Sequence, residues 1–288
     1  MRSLVYSYMR DPSIKLPISS NCFIVGCARN CGRHIPSVFD NIRKIATLFK
    51  QTKVLIAFDY SVDNTLELLN AEKTNTGNMD IEILVNTEPL SSIRTERIAN
   101  ARNRLIERMR ELYTPSWEYF IMIDLDDVCS SPINIENIAK YLYRNDWDAL
   151  SWNRNAYYDI WALSYPPFVV SCWNWGASSR QVVHFMTENI QHHLSQLGGD
   201  DLFPVNSAFN GLALYRSIKF LDCEYNWRTM AFETLPQNDV VHSVRVFGIY
   251  PQYTNVYDDC EHREFHRQAI AKNNAKIRIS PLKIFVSP

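Results

Sequence analysis

The chain has 288 residues, 46% of them hydrophobic, with 30 basic and 31 acidic side chains and a net charge of -1. That apolar content can bury a full core and excludes a disordered chain. The balanced charge offers no broad basic surface, so nucleic acid and anionic membranes are not expected partners.

Nothing in the sequence reaches the ~20 consecutive apolar residues that cross a bilayer, so no membrane span is expected. The start Met1-Arg2-Ser3-Leu4-Val5-Tyr6 has no apolar stretch of the kind a signal peptide needs. The seven cysteines are scattered, without paired metal-type spacing, and no Asn-x-Ser/Thr acceptor occurs. Both features point to a reducing, cytoplasmic setting.

In chain order, Cys22–Val25 is a short apolar run, and Pro36 opens a helical pattern through Phe39, Ile42, Ile45 and Phe49. Val54–Phe58 is a second run and ends at Asp59. Asp63-Asn64-Thr65 fits a cap for a helix carrying Leu66, Leu68 and Leu69. Ile81–Val85 is a third run, Ser92 to Leu112 reads as a long helix, and Tyr119–Ile123 is a fourth run. Strands without polar alternation, separated by helices, predict a mostly parallel sheet covered on both faces. Ligands of such sheets bind beyond the carboxyl ends of the strands, where Asp59 and Asp124 fall. After about Leu150 the chain is rich in Trp, Tyr, Pro and Asn and less periodic, which suits a surface for a second substrate.

The motif Asp124-Leu125-Asp126-Asp127 follows the fourth run directly. Carboxylates at i and i+2 leave an extended strand on one side and can together hold a hard divalent cation that binds a diphosphate. Such a cation neutralises charge on a departing phosphate. The bland alternative is a solvated acidic turn. In the long helix Arg102 interrupts an apolar stripe of Ile98, Leu105, Met109 and Leu112. A core-facing arginine requires a carboxylate or a phosphate, so Arg102 is expected to meet the acidic motif or a nucleotide diphosphate.

Downstream, Asp200 and Asp201, after Gly198-Gly199, are candidates for the carboxylate base that deprotonates an acceptor hydroxyl, or an exposed turn. Tyr157-Tyr158-Asp159-Ile160-Trp161 offers aromatic faces that suit sugar rings or simply a core. His262 and His266 are four apart, on one helical face, and a neutral imidazole there could complete a metal shell. The basic tail after Glu264 reads as a closure over a diphosphate or as a solvated tail.

Taken together, Phe23–Asn30, Asp59–Thr65, Arg97–Arg104, the acidic motif, Tyr157–Leu163, Phe209–Tyr215 and Cys260-Glu261-His262 resemble the GT-A glycosyltransferases. The similarity is to the compact enzymes of large DNA viruses, notably the chlorella-virus capsid-glycan transferases, and to the fungal capsule-associated mannosyltransferases. The resemblance implies a GT-A, Rossmann-like α/β fold over residues 1–288, with residues 20–150 binding the nucleotide sugar and 151–288 the acceptor. It implies Mn2+ or Mg2+ held by Asp124, Asp126 and His262, with Asp127 assisting. Cys27, Ala28, Arg29, Asp59, Arg102, Asp124, Leu125 and Asp126 would lie around the donor. The implied activity is transfer of a sugar, with UDP-xylose among the candidate donors, to a glycan hydroxyl, in the viral case on a capsid glycoprotein in the host cytoplasm. At Phe58-Asp59-Tyr60-Ser61 the chain departs from the family, whose members tend to carry Glu-Asn before the acidic-Ser pair.

Two other readings compete. The acidic motif with Val128 also fits a haloacid-dehalogenase-type phosphatase, with Asp124 as nucleophile and Asp126 as acid/base. A glycan-binding protein that kept the fold without the chemistry is the second.

Overall fold

The computed structural model describes residues 15–74, 79–88, 91–228, 230, 232–252 and 258–285. The Met1–Tyr6 start lies outside them. Strand and helix alternate as the sequence predicts: β1 (Cys22–Ala28), α1 (Ile35–Ala46), β2 (Thr52–Phe58), α2 (Thr65–Thr74), β3 (Met79–Val85), α3 (Arg94–Leu112) and β4 (Tyr119–Ile123). There follow α4 (Glu136–Ala139), β5 (Ala149–Asn153), α5 (Ser179–Ser195), β6 (Phe203–Val205), β7 (Leu212–Arg216), α6 (Gln237–Phe247), α7 (Glu261–Asn273) and β8 (Ile277–Lys283).

Among the described residues eight strands join one sheet in the order β3-β2-β1-β4-β7-β5-β8-β6. The first four pair in parallel, as expected for buried strands joined by helices. β7 then enters antiparallel between β4 and β5. Helices cover both faces, and β1 shows why its run lacks alternation. Phe23 and Val25 pack with α3 residues Leu105, Ile106 and Met109 on one face, while Cys22 and Ile24 pack with α1 residues Val38, Phe39 and Ile42 on the other.

The local signals hold. Proline sits in the first turn of α1, where its missing N–H costs nothing. Asp63 Oδ1 accepts the Thr65 N–H at 3.1 Å at the head of α2. The second half is more regular than its composition suggests, with four strands of its own. The basic tail is no lid: Ile277–Lys283 is β8, parallel to β5 and antiparallel to β6, while Lys272, Lys276 and Lys283 remain exposed. Its alternation is obscured because its residues face packed layers on both sides, with Ile277, Ile279 and Ser280 buried. No helix among the described residues is long and apolar enough to cross a membrane.

Strand order runs outward from β1 through β2 to β3 in one direction and to β4 in the other. The carboxyl ends of β1 and β4 therefore flank the point where the chain reverses its progress across the sheet. A crevice opens at such a point, and these two strands deliver Cys27–Arg29 and Asp124.

Candidate active site

The crevice is a cavity of about 660 Å³. Its walls come from the ends of β1 and β4, the inner face of α3, the loop after β5, and the start of α7. Gly26 permits the close approach of β1 to the acidic motif. A Cβ there would lie 2.5 Å from the Ile123 carbonyl and 3.1 Å from Leu125 Cγ.

The acidic motif is held from three sides. The Asp124 N–H donates to the Gly211 carbonyl at 2.9 Å. Asp126 Oδ1 accepts the Val128 N–H at 3.2 Å, capping the short turn that follows. Buried Asn41 of α1 donates to the carbonyls of Cys129 (2.9 Å) and Ser131 (2.7 Å) and so pins the loop that leaves the site. Asp124 and Asp126 are half-buried, Asp127 is exposed, and the Leu125 side chain is buried in the core beneath β1.

Arg102 is buried, as a residue in the apolar stripe of α3 must be. Its partners are carboxylates: Nη1 pairs with Glu261 and Nη2 lies 3.4 Å from Asp124 Oδ1. Nη1 also meets His262 Nε2. The guanidinium sits 4.9 Å from the Phe209 ring centre and 5.6 Å from that of Tyr225, a placement favourable to a desolvated cation. Glu261 lies 159 residues away, beyond any sequence periodicity.

His262 is wholly buried, its ring stacked on Phe209 at 4.0 Å. Burial, then the cationic Arg102, holds it well below the usual histidine range, so it is neutral. Its Nδ1 finds no hydrogen-bond partner among the described residues. The four-residue spacing does not make a histidine pair of one function, because His266 is enclosed by Ser207 Oγ (2.9 Å) and Tyr215 Oη (3.1 Å).

The cavity wall holds four carboxyl groups besides Asp59: Asp124, Asp126, Asp159 and Glu261. Burial pushes Asp124 up to about 8, Arg102 opposes that rise, and Asp126, Asp159 and Glu261 add to it. Burial also raises Asp126 and takes Asp159 up to about 6. Carboxylates so crowded call for a cation. Asp124 and Asp126, oxygen donors on one strand end, fit a hard divalent ion. His262 lines the same cavity, with its Nε2 against Arg102. No group of three or more His, Cys, Asp or Glu is arranged to hold a metal among the described residues.

Cationic side chains belong to the same lining. Arg29, Arg94 and Arg97 reach the cavity, and Arg29 Nε and Arg97 Nε each lie 3.7 Å from Asp59 Oδ2. Asp59 Oδ1 is already engaged, by Asn86 Nδ2 and by the Tyr60 N–H, both at 3.0 Å. Tyr157, Tyr158, Trp161 and Trp173 also line the cavity, with Tyr158 and Trp173 exposed.

No protein-family model and no curated protein matches the chain. Among solved structures it is similar to a mannosyltransferase from Pyrobaculum calidifontis bound to GDP-Man and Mn2+, at 12% identity and a TM-score of 0.45 over 96% of this chain and 59% of that one. It is similar also to S. aureus TarS, at 13% identity and a TM-score of 0.47 over 92% of this chain and 36% of that one. A third is glucosyl-3-phosphoglycerate synthase from Mycobacterium tuberculosis with UDP, at 14% identity and a TM-score of 0.38 over 70% and 58%. The chain thus spans less than two thirds of each of these proteins.

Of the residues singled out in the sequence, Cys27, Ala28, Arg29, Asp59, Arg102, Asp124, Leu125, Asp126 and His262 all line this cavity. Asp200 and Asp201 do not. The Asp200 side chain is 82% exposed and pairs with Lys140 at 2.6 Å. Asp201 Oδ2 accepts the Gly198 N–H at 3.2 Å within its own turn. Sequence reasoning underrated Asp159 and Glu261. The signal for Asp159 was a lone acid inside an aromatic segment just past a strand. Glu261 had none.

Proposed function

We propose that the chain is a glycosyltransferase that takes a sugar from a nucleoside-diphosphate donor, with a divalent cation, and gives it to a glycan hydroxyl. One observation carries the reading. The cavity beyond β1 and β4 brings half-buried Asp124 and Asp126 together with the cationic side chains of Arg29, Arg94 and Arg97 in one lining. A diphosphate carries charge that the arginines attract and the carboxylates repel, so a cation must stand between. Bound at Asp124 and Asp126, Mn2+ or Mg2+ would supply Lewis acidity to the leaving diphosphate.

The chain's own groups do the rest. Arg102 offsets Asp124 and Glu261, keeping their charges tolerable in a buried wall. Asp59 suits uracil. Its Oδ2, which takes part in no hydrogen bond among the described residues, is an acceptor for the N–H of the uracil imide. Guanine would present adjacent donors to a carboxylate whose Oδ1 is already twice occupied. The donor is therefore a UDP-sugar. The aromatic wall of Tyr158, Trp161 and Trp173 takes the acceptor sugar, whose C–H faces pack on rings. The phosphatase reading gains nothing here. Asp124 is paired with Arg102 rather than free to attack, and no lysine lines the cavity among the described residues.

The test is thermal stabilisation by UDP and GDP with and without Mn2+, followed by turnover of a nucleotide-sugar panel. UDP should stabilise the protein in the presence of Mn2+, and Asp126→Ala should abolish that effect. A protein indifferent to every nucleotide is not a transferase of this kind.

A further inference from the structure

Resting on that reading, we propose that Asp159 is the general base of the transfer, held in fixed relation to Asp124 by the Asn210–Gly211 turn, and that the transfer inverts the anomeric carbon.

Three observations converge. First, among the described residues that line the cavity, Asp124 and Glu261 pair with Arg102, and Asp59 with Arg29 and Arg97, which leaves Asp126 for the divalent cation and Asp159 as the carboxylate without a cationic side chain. It sits in the aromatic wall, between Tyr158 and Trp161, where an acceptor hydroxyl would lie. Second, its Oδ1 is fixed by the Ala162 N–H at 3.1 Å, while Oδ2 accepts from no described residue. One oxygen orients the group and the other is free to take a proton. Third, the backbones bearing Asp124 and Asp159 share one support. The Gly211 carbonyl accepts the Asp124 N–H at 2.9 Å. Asn210 Oδ1 accepts the N–H groups of Tyr158 (2.9 Å) and Asp159 (3.2 Å), and its Nδ2 donates to the Trp152 carbonyl at 2.8 Å.

That turn is built for the purpose. Asn210 is 2% exposed and has φ 62°, Gly211 has φ 89°, and asparagine and glycine adopt such angles most readily. Asparagine alone among those residues also offers both an acceptor and a donor from a short side chain. Two carboxylates on different loops are thereby kept at one spacing, which a displacement needs.

The step balances. The acceptor O–H gives its proton to Asp159 Oδ2 as the acceptor oxygen bonds to the anomeric carbon. The bond from that carbon to the phosphate oxygen breaks, and the nucleoside diphosphate leaves with the electron pair. Attack from the face opposite the leaving group inverts the configuration. The groups that set the charge of Asp159 are Glu261 on α7, Arg102 and Arg94 on α3, and Asp124 at the end of β4. Burial places its carboxyl near 6, ionised at neutral pH and still basic enough to accept a proton.

The experiment compares Asp159→Asn with the unmodified protein, with UDP affinity read beside turnover. The asparagine Oδ1 can still accept the Ala162 N–H, so the variant should fold. Transfer should fall by about 10²- to 10⁴-fold while UDP affinity changes less than about threefold, within a fraction of a kcal/mol. Product anomers read by NMR should be inverted. Asn210→Gly should lower kcat with UDP affinity kept, and Asn210→Asp, which keeps the acceptor oxygen, should restore part of it. Retained configuration, or an Asp159→Asn enzyme within threefold of normal, overturns the proposal and leaves the transferase standing. Failure of the unmodified protein to bind UDP or consume any nucleotide sugar overturns both.

Discussion

Replacing Arg102 by methionine should cost the protein heavily, and the structure says how much. The guanidinium and the Glu261 side chain are each 6% exposed, and Asp124 Oδ1 is 3.4 Å from Nη2. At that separation the attraction to Asp124 alone is roughly 5 kcal/mol at an effective dielectric of ~20. Desolvation of the ions cancels part of it in the intact protein. Methionine keeps the bulk and the contact with Phe209 and Tyr225, so the loss is of charge. Two carboxylates would then share a buried wall without their cation. Breaking a buried pair on one side costs about 3–5 kcal/mol, which for a protein of this size lowers Tm by roughly 10 °C. The assay is thermal and urea unfolding in EDTA, so that no added cation substitutes for the arginine. Glu261→Gln on the Arg102→Met background should recover at least about 1 kcal/mol by removing the orphaned charge. A single variant melting within about 2 °C of the parent, or a double variant less stable than the single one, would falsify the charge-compensation argument.

Transfer should also depend on pH through Asp159. A base must be deprotonated, and burial raises this carboxyl to about 6, so kcat/KM should be flat above pH 7 and fall about tenfold per unit below 6. An acid limb still centred near 4 would mean another group is the base. Asp200→Asn and Asp201→Asn, in an exposed turn, should leave turnover within about twofold, a ΔΔG‡ under ~0.5 kcal/mol; a large loss in either would move the base there. Gly211→Ala places a Cβ 2.6 Å from Val128 Cγ1 at φ 89°, so unfolding measurements should show a loss of about 2 kcal/mol or more, with kcat reduced because the turn supports Asp124. Asp59→Asn should weaken UDP more than it weakens inorganic diphosphate, measured by competition. Equal loss of both would place Asp59 with the phosphates.

The first half of this fold is legible because buried parallel strands have only one composition open to them. Cys22–Val25, Val54–Phe58, Ile81–Val85 and Tyr119–Ile123 each lie within an observed strand. Arg102 could be marked as paired from its place in an apolar stripe, since no unpaired cation survives there. Its partner could not be named, because Glu261 comes from a helix 159 residues on and no local pattern encodes that meeting. β8 was obscured for a related reason. Its lysine and arginine side chains sit at the margins of a strand whose centre is buried, and charge counts alone read that as solvated. Asp200 and Asp201 attracted attention as a flexible acidic pair, yet flexibility and exposure suit a turn better than a base.

The pairing of β5 with β8 has a consequence for synthesis. Ala149 pairs with Ile277, so one edge of β5 must wait until the ribosome has added well over a hundred further residues. Over the same interval Arg102 faces an unfinished wall, because Glu261 has not emerged. At ~5–20 residues per second the delay lasts several seconds or more, and a nascent chain carrying a bare strand edge and a buried orphan charge is a natural client for a chaperone. Slowing elongation after residue 216 should therefore raise aggregation of this protein more than slowing it before residue 119.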